Sequence, residues 1–95
     1  MPKFVVSAQA ERDLEDIGDF ISLDNPVRAV SFIQEITLYF WTVAERPMSF
    51  PDRADLAPQL RSAIFRRYLI LFEVGDDNVK IARVVHGARN LKALF

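Results

Sequence analysis

Ninety-five residues, 51% hydrophobic and 26% charged, describe one small globular domain spanning residues 1–95. No cysteine is present, which excludes a disulfide scaffold and any Cys-ligated zinc or iron–sulfur site. One histidine, His86, leaves no multi-His metal site, and no metal is expected. No apolar run approaches the roughly 20 residues of a membrane span. The start, Met1-Pro2-Lys3-Phe4-Val5-Val6, lacks the features of a signal peptide, so the expected location is cytoplasmic. The formal charge is −1 and advertises no nucleic-acid binder. It is unevenly spread: residues 1–24 carry two basic and six acidic side chains, residues 53–95 eight basic and four acidic. An acidic head and a basic tail fit a charged partner, or simply one acidic solvated helix.

In chain order, Lys3 to Ser7 reads as a β-branched and aromatic strand ending at Ser7, a good helix cap. From Ala8 to about Leu23, Ala10, Leu14, Ile17 and Ile21 repeat at spacings of 4, 3 and 4, one stripe of an amphipathic helix. Asn25-Pro26 then supplies a cap and a first helical position that needs no N–H. A second helix runs to about Arg46, where Pro47 stops it. Its stripe is Ala29, Ile33, Ile36, Phe40 and Val43, with a second apolar set, Val30, Phe32, Leu38, Tyr39 and Trp41. So apolar a helix needs cover on most sides. The short connection makes the two helices an antiparallel hairpin.

Residues 47–58 form a proline-rich loop, followed by a strand from Leu60 to Arg67. Tyr68 to Val74 is a nearly unbroken apolar run, the mark of a strand covered on both faces. Gly75-Asp76-Asp77-Asn78 turns the chain into a return strand, Val79 to Val85, and residues 88–95 read as a brief helical tail. The order β-α-α-β-β-β predicts an α+β fold: an N-terminal strand and a helical hairpin packed on a small antiparallel sheet.

The segments Arg67-Tyr68-Leu69-Ile70-Leu71-Phe72 and Ile81-Ala82-Arg83-Val84-Val85-His86-Gly87-Ala88-Arg89-Asn90-Leu91, with a terminal Leu94-Phe95, resemble the ParE branch of the ParE/RelE toxin family. The helix opening Ser7-Ala8-Gln9-Ala10-Glu11 and the Asn-Pro break agree with it. The resemblance implies the toxin of a type II toxin–antitoxin (plasmid stabilisation) module, bound by a ParD-like antitoxin and directed at DNA gyrase without catalysis of its own. RelE-type members instead cleave messenger RNA on the ribosome, and a toxin-like binding protein without activity is the third reading.

A ribonuclease would draw on His86, Arg83, Arg67 and Arg89, with Glu73 as another candidate base. In a regular strand Arg83 shares a face with Val79, Ile81 and Val85, whereas His86 lies opposite, unless the strand bulges. Three lysines are few for ribosome binding through counterion release. His86 before Gly87 reads rather as structural, orienting the turn into the tail, and Arg83 reads equally as an ion-pair partner of Glu73 or as a contact to the target or antitoxin. Leu14, Ile21, Phe32, Tyr39, Trp41, Arg67 and Arg83 are expected to meet the antitoxin, and Arg89, Lys92 and Phe95 the target. With three glycines and no phosphate-cradling loop, no cofactor is expected.

Overall fold

The computed structural model describes residues 2–87 and 91–95. β1 (Phe4–Val6) leads into α1 (Ala8–Ser22), and α2 (Pro26–Glu45) follows after a three-residue connection. A 3₁₀ turn at Pro47–Ser49 opens the loop to β2 (Leu60–Phe65), β3 (Tyr68–Val74) and β4 (Val79–His86), and a second 3₁₀ turn at Leu91–Leu94 closes the chain. Both helix caps read from the sequence form. Ser7 Oγ accepts from the Ala10 N–H at 3.0 Å, and Asn25 Oδ1 from the Arg28 N–H at 3.0 Å.

The sheet order is β1-β4-β3-β2. β2, β3 and β4 form the expected antiparallel meander, while β1 lies parallel beside β4, Phe4 opposite Val79 and Val6 opposite Ile81. Both helices pack on one face, where Ile17, Phe32, Ile36, Phe40 and Val43 meet Ala63, Ile70, Phe72, Ile81 and Val84. The opposite face carries a smaller cluster of Leu60, Leu69, Leu71 and Val85, covered by Leu56, Ala57, Leu91 and Leu94. β3 is therefore buried on both sides, as its unbroken apolar run requires.

Two details depart from the sequence reading. Arg66 and Arg67 are not the end of a strand: they form the two-residue turn that sets Phe65 opposite Tyr68. Arg66 takes the left-handed conformation, φ 55°, at a position that normally selects glycine. Nothing in an Arg-Arg pair signals such a turn. The second departure is a β-bulge in β4. Leu71 pairs with Arg83 but Phe72 with Ile81, which leaves Ala82 as an extra residue. Alternation breaks there, so Val79, Ile81 and Val84 face the helices and Val85 faces the small cluster.

Candidate functional site

The bulge and the shortness of β1 set the chemistry at the end of β4. β1 accompanies β4 only as far as Ile81, and α1 crosses the remaining edge. Ser7, beyond capping the helix, donates Oγ–H to the Ala82 carbonyl at 2.9 Å. One and a half turns on, Asp13 occupies the next part of the edge with its carboxylate. Its Oδ2 accepts from the Val84 N–H at 2.9 Å and from Arg83 Nε at 2.9 Å, and its Oδ1 accepts from Arg83 Nη2 at 3.0 Å. A side chain from the helix thus takes the place of a missing strand, answering the backbone group that the edge would leave exposed.

This clasp is charged and largely dry, Asp13 being 7% exposed. Burial alone would raise the Asp13 carboxyl. The hydrogen bonds from Arg83, from the Val84 N–H and from Gln9, together with the Arg83 charge, outweigh it and hold the group below its ordinary value. The same bonds to Asp13 push Arg83 upward against its own burial. Arg83 is therefore half of an ion pair, with Asp13 on α1 rather than with Glu73 on the neighbouring strand. Glu73 lies opposite Lys80 in the sheet register.

Beside the clasp lies a shallow depression of about 290 Å³ lined by Asp13, Asp16, Ile17, Phe20, Tyr68, Val84, Val85 and His86. The His86 ring meets Tyr68 edge-on, centroids 5.6 Å apart. The bulge precedes both Arg83 and His86, and between them the pairing runs regularly from Leu71 to Tyr68, so alternation still parts them. Arg83 stands opposite Leu71 and bends to Asp13 at the strand edge, while His86 stands opposite Tyr68. Arg67 sits apart on the β2–β3 turn, where its carbonyl accepts from the Gly87 N–H at 2.9 Å. Its guanidinium meets no carboxylate among the described residues. Arg89 lies outside the described residues. His86, Arg83 and Arg67 do not converge on a common point, because Arg83 is spent on Asp13. Among the described residues no group of His, Asp and Glu is placed to hold a metal ion, and no helix is long and apolar enough to cross a membrane.

The residues expected to meet an antitoxin are dispersed. Phe32 is buried, its ring 5.8 Å from Phe65 and 5.4 Å from Tyr68, and it presents no surface. Leu14, Ile21 and Tyr39 are half-buried against the core, Tyr39 with its ring 5.2 Å from Phe65. Trp41 stands on the outer side of α2 against the Phe4 ring at 4.6 Å. In the tail, Leu91 and Leu94 anchor under the sheet, which leaves Lys92 and Phe95 exposed.

The turn arginine is also tied down. Glu35 on α2 accepts from Arg28 at 2.7 Å and from Arg66 at 3.0 Å, and these two cations hold its carboxyl below the ordinary value. The sequence reading missed Asp13. The signal was present: Asp13 interrupts the stripe Ala10, Leu14, Ile17 with one charge, and Arg83 interrupts an apolar strand with the opposite one.

A search of curated proteins finds no significant match. Among solved structures, the chain is similar to one described as "Chromosomal ParDE TA system from P. aeruginosa", with TM-score 0.77 and 20% identity, over 90% of this chain and 96% of that one. It is also similar to the toxin–antitoxin complex RelBE2 from Mycobacterium tuberculosis, with TM-score 0.63 and 24% identity, over 90% of this chain and 99% of that one. At such identities these two establish the α+β fold. The family follows from the sequence model for the ParE toxin of type II toxin–antitoxin system, parDE, which matches residues 4–91: the chain belongs to the ParE toxin family.

Proposed function

We propose that this ParE-family toxin acts by binding DNA gyrase, breaks no bond itself, and is neutralised by a ParD-like antitoxin. The observation that carries the non-catalytic reading is the Asp13–Arg83 clasp. The arginine a ribonuclease would aim at a phosphate already makes two bonds to a buried carboxylate. Redirecting it would leave that buried carboxylate without its counter-charge, with the Val84 N–H and Gln9 as its remaining donors. Lys92 and Phe95 are the proposed target contacts, since Leu91 and Leu94 pin the tail and leave these two side chains exposed, and Arg89, outside the described residues, is proposed with them from the sequence.

An antitoxin is supported by the family and by the two structural neighbours, both described as toxin–antitoxin assemblies. Its proposed path follows the exposed flank of α1, across Phe20 and Ile21, toward Arg67. Glu15, Asp16, Asp19 and Asp24 meet no cation on this side among the described residues, so an antitoxin segment with basic and apolar side chains suits it.

The test is a gyrase supercoiling and cleavage assay with purified toxin, run beside a ribosome–messenger cleavage assay. Gyrase-linked double-strand breaks that disappear when antitoxin is added support the proposal. Cut messenger with untouched supercoiling replaces it with the RelE-type reading.

A further inference from the structure

Three residues along α1 from Asp13, the helix turns a second carboxylate to the same side. At about 100° per residue, Asp13, Asp16 and Phe20 share one face within about 60° of arc. That face stands beside the Tyr68–His86 pair at the end of the β3–β4 ladder, and the depression of about 290 Å³ lies between them. Phe20 from the helix, with Tyr68 and His86 from the sheet, contributes a ring to its lining. Buried Ile17 and Val84 supply apolar surface. Tyr68 is already fixed, its ring 5.4 Å from Phe32 and 5.6 Å from His86, so this wall is formed before any partner arrives.

The charge in this depression is one-sided. The Asp13 oxygens are taken by Arg83, the Val84 N–H and Gln9. Asp16 is exposed and meets no cation among the described residues. No lysine or arginine lines the depression, which disfavours an anion. Its volume stands at the bottom of the range for ligand pockets, about 300–1,000 Å³, so it suits one side chain rather than a cofactor. A wholly apolar side chain would take water from Asp16 and pair it with nothing. A cation on an apolar stem satisfies both halves, the stem against Ile17 and Val84 and the charge against Asp16. Between the two cationic side chains, a planar guanidinium can lie on aromatic rings and fork to a carboxylate at once, which an ammonium cannot.

We infer that this depression is the anchor site for an arginine side chain of the antitoxin, its guanidinium set among Phe20, Tyr68 and His86 and bonded to Asp16. The inference rests on the antitoxin reading proposed above and adds to it a defined point of attachment. Arg83 does not compete for the place, because its two bonds to Asp13 hold it at the strand edge. The surrounding charge favours the same occupant: Arg12 is the single basic residue of α1, against Glu11, Asp13, Glu15, Asp16 and Asp19. That field draws a basic segment toward the site, and salt screens it, so association slows as ionic strength rises.

Two titrations of the full chain test this, with circular dichroism to verify that each variant is folded. In the first, N-acetyl-arginine amide is added to isotope-labelled toxin and read by NMR. It is expected to shift the signals of Asp16, Phe20, Tyr68 and His86, whereas N-acetyl-citrulline amide, of the same shape without the charge, leaves them in place. In the second, antitoxin is titrated by calorimetry. Asp16→Asn and Phe20→Ala each weaken binding about tenfold. Asp77→Asn, the same loss of charge at the distant β3–β4 turn, changes it less than about twofold. One antitoxin arginine, replaced by alanine, loses a similar factor and loses little more in combination with Asp16→Asn. Equal affinity for wild type, Asp16→Asn and Phe20→Ala, or no antitoxin arginine that couples to Asp16, overturns the anchor and leaves the antitoxin reading standing. An antitoxin that binds no form of the toxin overturns both. Equal shifts from the two amides, or none from either, would remove the recognition of charge on which the inference depends.

Discussion

The inner edge of β4 and the outer face of α2 invert the usual distribution of polarity in opposite senses. At the edge, a buried carboxylate holds a partly buried guanidinium. On the helix, about four turns of apolar surface, from Val27 through Val30 and Leu38 to Trp41, face water. The clasp is closed, since every polar atom at Asp13 finds a donor within the chain, and its charges serve the fold. The α2 stripe is open: Val27, Val30 and Leu38 stay exposed, and Trp41 rests against the Phe4 ring. Buried charge here is a structural feature, against the common habit of seeking function among the charges.

Mutations can break the contrast directly. Phe40 and Leu38 sit two residues apart on α2, one fully buried and one two-thirds exposed. Phe40→Ala should cost about 3–5 kcal/mol in urea unfolding, whereas Leu38→Ala should stay within about 0.5 kcal/mol. Comparable losses at both sites would mean that the outer stripe is core.

Next in size is Asp13→Leu, which abandons Arg83 and the Val84 N–H together, for a loss of about 3 kcal/mol. Asp13→Asn keeps acceptor geometry without the charge and should lose less. The pH dependence sharpens the same point. Because the folded Asp13 carboxyl lies below its unfolded value, its contribution is complete above the ordinary carboxylate range and disappears as pH falls through the lower folded value. Arg83, raised in the folded state, keeps its contribution throughout that window. Asp13→Asn should therefore flatten the acid limb of stability against pH, and an unchanged limb would remove Asp13 as its source. The smallest effect concerns Arg66. Arg66→Asn exchanges a solvent-exposed ion pair for a residue at ease at positive φ, and should shift stability by less than about 0.5 kcal/mol.

Much of the fold was legible because local signals and packing agreed. Ser7 and Asn25-Pro26 fixed both helix starts, and the run from Tyr68 to Val74 announced a strand buried on two faces. The β2–β3 turn was hidden because Arg66 occupies a glycine position without glycine, held by Glu35 and by the Phe65 ring 5.6 Å away. The parallel pairing of β1 was hidden because no local pattern tells a strand which edge it will join. The Ala82 bulge left no Gly or Pro to mark it, yet it decides where Arg83 and His86 point. The second apolar set on α2 was visible as composition, but only the structure divides it into buried Phe32 and half-buried Tyr39 on one side and exposed Val30, Leu38 and Trp41 on the other.

Binding without turnover has a direct signature. Toxin titrated against a fixed amount of gyrase and supercoiled DNA, with double-strand breaks read on a gel, should give breaks that saturate at a fixed ratio of toxin to gyrase and do not grow with further incubation. Unchanged supercoiling with toxin in large excess, or RNA cleavage by substoichiometric toxin on ribosomes, would contradict a stoichiometric gyrase poison.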